Sequence, residues 1–137
     1  MPIKALDHIN IITRDLDGTC EYMVSLLGLD RRDAPPPLDA SLAQWLYDSE
    51  GRALFHINHV DCPRLYDRDV QTGITGAIHH VAVECNDFGG MIARVEGLGA
   101  QYQVNEFPSA GLRQIFTAEP NGILFELNFY DRDTPGS

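Results

Sequence analysis

The stretch LFHIN at residues 54–58 recurs as LFELN at residues 124–128. Each copy follows a turn that contains glycine. Apolar and polar residues alternate in both copies, which is typical of a strand with one face on the core. A residue type that commonly binds metals stands at the centre of each copy, His56 in the first and Glu126 in the second. The two copies therefore predict two equivalent strands that each present one potential metal ligand.

A second pair of segments repeats in the same way. LDHINI at residues 6–11 matches IHHVAV at residues 78–83, so that His8 and His80 occupy equivalent positions. Each segment is followed by a short polar link ending in an aspartate, a residue suited to capping a helix N-terminus. The chain therefore contains an internal repeat of two copies. Four potential ligands stand at corresponding positions of the copies: His8, His56, His80 and Glu126.

The order of elements predicted for each half is βαβββ, which makes the fold class α+β. In the first half, strands are predicted at residues 5–13, 29–33, 43–47 and 53–59, with a helix from Asp15 to about residue 27. In the second half, they are predicted at residues 77–85, 101–106, 112–118 and 123–129, with a helix capped by Asn86 or Asp87 and ending near residue 98. We expect a single domain over residues 1–137, with modules at about residues 3–59 and 77–130 joined by a linker.

The charge and composition of the chain exclude several classes of function. A net charge of −10 and a pI near 4.7 argue against binding to nucleic acid, whose phosphates require a basic patch. A membrane span needs about 18 consecutive apolar residues, and the sequence has no such run.

The first residues lack the apolar core of a signal peptide, so we expect a cytoplasmic protein. The 3 cysteines include no Cys-x-x-Cys pair, which favours reduced thiols.

The repeated order and its ligand positions resemble the vicinal oxygen chelate superfamily, which includes glyoxalase I, extradiol dioxygenases and the bleomycin and fosfomycin resistance proteins. The resemblance extends from about residue 3 to about residue 130. Its specific motifs are LDHINIITRDL at residues 6–16, IHHVAVECNDF at residues 78–88 and EPNGILFELNF at residues 119–129. It implies that each module forms a curved, mixed sheet, and that paired modules enclose a cavity containing a metal.

The resemblance also implies a set of metal ligands. The shared positions of the family fall on His8, His80 and Glu126, and the fourth position of the glyoxalases falls on His56. Glyoxalases usually have a glutamate at that fourth position, so His56 is a departure with three possible roles: ligand, general base or hydrogen-bond donor to a ligand. Imidazoles combined with one carboxylate suit a single divalent Fe, Mn, Ni, Co or Zn ion. His79, which alternates with His80, is expected to point away from the site and pack under the helix.

The predicted function is that of a metal-dependent enzyme acting on a small molecule with adjacent oxygens. The resemblance favours a lyase or isomerase like glyoxalase I, working through a metal-chelated enediolate, with Glu126 and His56 as the catalytic residues. An extradiol-type dioxygenase using Fe(II) is the alternative, because it uses the same ligand triad. A binding or resistance protein that sequesters a small molecule without turnover is a third possibility. Family members often build the cavity from two chains, so we expect a homodimer.

Overall fold

The computed structural model describes residues 5–63 and 78–131 of the chain. The chain divides into two compact units, Met1–Thr72 and Gly73–Ser137. Within the described residues, each unit contains one α-helix and one four-stranded sheet in the order βαβββ. The two βαβββ modules predicted from the repeat are therefore confirmed.

The first unit has a mixed sheet with its first strand next to its last. Its elements are β1 (Ile9–Thr13), α1 (Leu16–Leu27), β2 (Asp30–Asp33), β3 (Ala43–Tyr47) and β4 (Ala53–His59). The strand order is β1-β4-β3-β2, with β1 parallel to β4 and the other pairs antiparallel. The crossover through α1 is what allows β1 and β4 to run in the same direction.

The second unit repeats this topology. Its elements are β5 (Val81–Glu84), α2 (Phe88–Gly97), β6 (Tyr102–Phe107), a 3₁₀ turn (Pro108–Ala110), β7 (Leu112–Ala118) and β8 (Leu124–Tyr130). The strand order is β5-β8-β7-β6, and again only the first pair is parallel. Equivalent strands of the two repeats therefore occupy equivalent places in their sheets.

Helix α1 begins and ends at the residues that the sequence predicts. The Asp15 side chain accepts a hydrogen bond from the Gly18 backbone N–H, which satisfies one of the free donors at the helix start. Gly28 ends the helix in the left-handed conformation at φ 70°, which glycine adopts without steric cost. Cys20, Met23 and Leu26 are fully buried on the face of α1 that packs on the sheet. These contacts define one face of the first sheet as the core face.

The central strand of each sheet places its ligand candidate on the face away from the core. In β4, Phe55 and Ile57 are buried while His56 between them is only partly buried. In β8, Phe125 and Leu127 are buried and flank Glu126 in the same way. The alternation in LFHIN and LFELN thus places the flanking apolar side chains in the core and the ligand candidate on the opposite face, as expected.

The first strand of each unit is shorter than predicted. The strands expected at residues 5–13 and 77–85 begin only at Ile9 and Val81. His8 and His80 therefore lie just before a strand rather than in one. The reason is that β1 and β5 are edge strands, and their ladders with β4 and β8 start at Ile9 and Val81. Within residues 5–63 and 78–131, no helix is long and apolar enough to cross a membrane.

Candidate metal centre

His80 and Glu126 form the pair of potential ligands in the second unit. The Nε2 atom of His80 lies 3.7 Å from Oε1 of Glu126. The glutamate side chain is 17% exposed and the histidine side chain 36% exposed, so both remain reachable from solvent. The ring of Phe116, which lies opposite Glu126 in the sheet, approaches His80 edge-on with 6.4 Å between ring centroids. The pair therefore presents one nitrogen and one oxygen donor beside an aromatic surface.

A chain of amide hydrogen bonds holds the other oxygen of Glu126. Asn128, two residues along β8 and 8% exposed, donates from Nδ2 to Oε2 of Glu126 at 2.9 Å. Gln114, opposite Asn128 on β7, donates from Nε2 to Oδ1 of Asn128 at 3.0 Å. These bonds orient the carboxylate and leave Oε1 as the oxygen that faces His80.

The position of His79 differs from the prediction. His79 was expected to pack under the helix, but it is exposed and contacts His80 directly. The two Nδ1 atoms are 2.9 Å apart, and the two rings are nearly perpendicular at 88°. The prediction was wrong because strand alternation was extended to a residue that precedes β5, where no sheet ladder fixes which side the side chain takes.

The first unit brings His8 and His56 together as stacked rings. Their centroids are 3.7 Å apart and their planes 9° apart. Trp45 stacks on the other side of His56 at 3.9 Å and 8°, because Trp45 lies opposite His56 in the β3–β4 pair. His8 is held at its edge as well, since its Nδ1 is 2.6 Å from Oδ2 of Asp7. The result is a column of three rings on the face of the sheet away from α1.

Burial within this column lowers the pKa of His56 to about 4. The main cause is the loss of solvent around the ring, and the neighbouring His8 adds a smaller repulsion. The carboxylate of Asp7 acts in the opposite direction. His56 is therefore a neutral imidazole at physiological pH, able to bind a metal or accept a proton.

The donor types in both units suit a transition metal, although stacking limits the first pair. A metal ion bonds to an imidazole nitrogen along the lone pair, which lies in the plane of the ring. Since the His8 and His56 planes are nearly parallel and separated, an ion in the plane of one ring lies outside the plane of the other. Only one of these two imidazoles can therefore bind a given ion while the stack is intact. Among the described residues, no three potential ligands of the His, Cys, Asp or Glu type converge.

The asparagines beside the ligand candidates differ between the repeats. Asn128 has partners for its amide, whereas the buried Oδ1 of Asn58 has no hydrogen-bond partner among the described residues. The difference follows from the register, because Asn128 faces Gln114 while Asn58 faces Ala43. Asn10, which lies beside His56 across the β1–β4 pair, is exposed.

Several of these contacts do not follow from the pattern of the sequence. Asp7, Gln114 and the stacking role of Trp45 were not predicted as parts of a site. The signal for Asp7 was its place directly before His8, and for Gln114 its place opposite Asn128 in a regular hairpin. Arg113 lies on the core side of β7, with its guanidinium 4.4 Å from the centre of the Phe88 ring.

Comparison with solved structures finds the same fold in several proteins. An integron cassette protein from the mobile metagenome of Vibrio cholerae matches with a TM-score of 0.70 at 14% identity, covering 95% of this chain and 98% of the other. FosX from Mesorhizobium loti, a fosfomycin resistance protein, matches with a TM-score of 0.66 at 18% identity, covering 93% and 92%. A variant of FosX from Listeria monocytogenes, complexed with Mn(II) and a dihydroxypropylphosphonic acid, matches with a TM-score of 0.65 at 17% identity, covering 91% and 89%. Identities this low show the fold alone.

The comparison with curated proteins gave no match. A comparison with protein families matched residues 5–127, which include both repeats and all four ligand candidates. The chain belongs to the Glyoxalase/Bleomycin resistance protein/Dioxygenase superfamily.

Proposed function

We propose that the protein is a metal-dependent enzyme that acts on a small molecule bearing adjacent oxygens. The observation that supports this most is the state of the His80–Glu126 pair. One atom of each side chain is engaged by a neighbour, Nδ1 of His80 by His79 and Oε2 of Glu126 by Asn128. The remaining nitrogen and oxygen face each other at 3.7 Å, a separation compatible with two ligands of one ion. His8 and His56 are the proposed source of the other protein ligands, with one of them bound while their stack is intact.

The reaction we propose is proton transfer on a carbon next to the chelating oxygens, as in glyoxalase I. A divalent ion, when bound, would polarise the substrate oxygens and stabilise the negative charge that develops on them. Glu126 would act as a base only when Oε1 is not held as a ligand; it would then take the proton from one carbon and return it to the neighbouring carbon, while Asn128 holds Oε2 in place. His56 is the proposed partner of Glu126 in this transfer; because its pKa is lowered to about 4, it would hold a proton only transiently at neutral pH. No electrons are gained or lost and no other bond is broken, so the substrate leaves as an isomer.

A ring-cleaving dioxygenase is the second candidate. Two histidines and one carboxylate, the types found at His8, His80 and Glu126, also form the facial triad of Fe(II) oxygenases. Each unit has an aromatic ring beside its own ligand candidates, Trp45 in the first and Phe116 in the second, and such a ring would suit a flat, catechol-type substrate.

Fosfomycin modification receives less support from the charges of the chain. The FosX relatives make a divalent metal such as Mn(II) plausible here. A phosphonate, however, requires cationic side chains that are free to bind it. The chain has 20 acidic residues against 10 basic ones, and Arg31, Arg32 and Arg52 are each already paired with an aspartate.

One experiment separates these reactions. Metal-free protein would be reconstituted in turn with Fe(II), Mn(II), Ni(II), Co(II) and Zn(II), and each form assayed on a methylglyoxal–thiol adduct and on a catechol. Turnover of the adduct without oxygen uptake supports the isomerase, and oxygen uptake with the catechol only in the Fe(II) form supports the dioxygenase. His59→Ala is the matched control, because His59 lies on the opposite face of β4 from His56. Binding of either compound without turnover by any metal form would leave a sequestering protein as the function.

We also propose that the protein works as a two-fold symmetric homodimer, in which His8 and His56 of one chain serve the same ion as His80 and Glu126 of the other. The sheets leave β1, β2, β5 and β6 as edge strands, and such edges are commonly covered by a partner. The proposal that the two chains share their ligands is made by analogy with other members of the family.

A further inference from the structure

We propose that Asp7 and His79 are positioning residues that fix the tautomers of the two histidines following them, His8 and His80. Each would keep a hydrogen on Nδ1 of its histidine and thereby leave Nε2 as the metal-binding atom. This inference rests on the proposed function for the identity of the ligand, a divalent metal. Its starting observation is that Asp7 and His79 hold equivalent positions in the two repeats and make the same kind of contact.

The contact in the first repeat defines the tautomer of His8 directly. Oδ2 of Asp7 lies 2.6 Å from Nδ1 of His8, a short distance typical of a hydrogen bond to a charged acceptor. An ionised carboxylate only accepts hydrogen bonds, so the hydrogen must be on Nδ1 of His8. In the neutral ring, Nε2 then carries the lone pair. The stack on His56 holds the same ring by its face, so both edge and face of His8 are fixed.

The contact in the second repeat joins two nitrogens of the same kind. The Nδ1 atoms of His79 and His80 are 2.9 Å apart, so one of them carries the hydrogen and the other accepts it. If His80 donates, its Nε2 is left with a lone pair beside Glu126. The alternative would place a hydrogen on Nε2 of His80, 3.7 Å from Oε1 of Glu126, and would leave no lone pair there for a metal. The equivalent place of His8 in the first repeat, whose Nδ1 must carry the hydrogen, favours the arrangement in which His80 donates.

The chain contains a histidine that should show the opposite tautomer. Nδ1 of His59 accepts a hydrogen bond from the backbone N–H of Asp61 at 3.0 Å, so the hydrogen of a neutral His59 must be on Nε2. His59 also has an aspartate nearby, with Oδ2 of Asp61 at 3.5 Å. His59 and Asp61 thus provide a matched control in the same molecule, away from the candidate ligands.

Asp7 and His79 differ in charge, so we expect them to affect metal affinity to different degrees. A carboxylate that accepts from an imidazole raises the basicity of the ring and its strength as a ligand, and such partners commonly change metal affinity by about 10- to 100-fold. A neutral imidazole in the same place orients the ring but adds no charge. We therefore expect loss of the Asp7 carboxylate to weaken metal binding more than loss of the His79 ring.

The tautomers can be read without any metal. Imidazole ¹⁵N–¹H correlation spectra would be recorded on metal-free protein at about pH 8, where an ordinary imidazole is neutral. We expect hydrogen on Nδ1 in His8 and His80 and on Nε2 in His59. Asp7→Ala and His79→Ala should move His8 and His80, respectively, toward the Nε2–H form that free histidine favours. Asp7→Asn, which keeps an acceptor oxygen, should restore the tautomer of His8.

Metal affinity is the second measurement, made by competition with a fluorescent chelator for Zn(II) and Mn(II). Asp7→Ala should weaken binding by about 10- to 100-fold, and His79→Ala by less, while Asp61→Ala stays at the wild-type value. Nε2–H tautomers for His8 and His80 in the wild type, or wild-type spectra in both alanine variants, would overturn the inference. A wild-type protein with the expected tautomers but no metal affinity would reject the proposed function and leave the positioning roles intact.

Discussion

The ring of His8 lies parallel to the ring of His56, with 3.7 Å between their centroids. Two imidazoles in this arrangement cannot both direct a lone pair at one ion, although both are proposed as ligands. Either one of them stays out of the coordination sphere, or binding a metal breaks the stack. Trp45 fluorescence can distinguish these two outcomes, because Trp45 stacks on His56 and is the only tryptophan of the chain.

The first prediction concerns the amount of bound metal. We expect close to one equivalent of a divalent transition metal per chain, measured by elemental analysis of protein purified without chelators. His80→Ala and Glu126→Ala should each remove it, because each deletes one donor of the 3.7 Å pair. Both variants should keep the wild-type circular dichroism, since neither side chain belongs to the buried core. Metal-free wild-type protein, with ligand binding unchanged in both variants, would contradict the metal site.

The second prediction concerns the role of His56. If it is a ligand or a base, His56→Ala loses metal or turnover, while His56→Glu, which restores the residue usual in glyoxalases, keeps the metal. Titration of wild-type protein with metal should change the Trp45 emission if His56 leaves the stack, and leave it unchanged if His8 alone binds. Wild-type metal content and turnover in both variants would reduce His56 to a packing residue.

The third prediction concerns stability in acid. The pKa of His56 in the folded state, about 4, is below the ordinary histidine value of about 6.5 expected in the unfolded chain. Between these values the unfolded chain binds the extra proton, so the contribution of His56 to stability is complete above about pH 6.5 and is lost as the pH falls toward 4. Urea unfolding of metal-free protein at about pH 7 and about pH 5 should show a larger loss in the wild type than in His56→Gln.

Fluorescence gives a direct reading of the same titration. A protonated imidazole quenches an indole in contact with it, so Trp45 emission should fall with a midpoint near pH 4 in metal-free protein. His56→Gln should abolish that transition. A midpoint near the ordinary histidine pKa would show that burial in the stack does not lower the pKa of His56.

Much of the fold followed from the sequence, because two physical signals were strong. Alternation of apolar and polar residues predicted β3 and β4 with their observed bounds. Asp15 predicted the start of α1, and the start of α2 was predicted at Asn86 or Asp87, of which Asp87 is the observed cap. The limits of β1 and β5 could not be predicted in the same way. Those strands begin where a partner strand supplies hydrogen bonds, and the partner is more than forty residues away in sequence.

The stack of Trp45 on His56 could not be predicted from the alternation of apolar and polar residues, because it depends on the register of the β3–β4 pair. Tyr47 pairs with Ala53, and a regular antiparallel count from that pair would place Trp45 opposite Phe55. A register shift between Leu46 and Tyr47 instead places Trp45 opposite His56. Such a bulge changes which side chains are neighbours without changing the pattern of apolar residues. Contacts between side chains in the candidate site were therefore harder to predict than the strands that carry them.

The fourth prediction concerns a buried carboxylate in the turn before β8. Glu119 is 3% exposed and accepts hydrogen bonds from the backbone N–H groups of Asn121 and Ile123 and from the Asn121 side chain. Glu119→Ala removes this acceptor from the three donors, so we expect a loss of about 1–3 kcal/mol in the free energy of unfolding. Glu50→Ala, an exposed residue in the equivalent turn of the first repeat, should change stability by less than about 0.5 kcal/mol. Equal effects of the two changes would show that the Glu119 network contributes little.

The last prediction concerns assembly. We expect the protein to run as a dimer in light scattering at micromolar concentration. If the dimer shares its ligands as proposed, His8→Ala chains and Glu126→Ala chains are each inactive alone. Mixed after mild dissociation, they should recover part of the activity, because each mixed dimer regenerates one site with all its ligands and one that lacks two. As a control, His8→Ala mixed with His56→Ala should recover none, since both changes remove ligands from the same half of the site. Sites formed within one chain would give no recovery in either mixture, and a monomer by light scattering would reject the dimer itself.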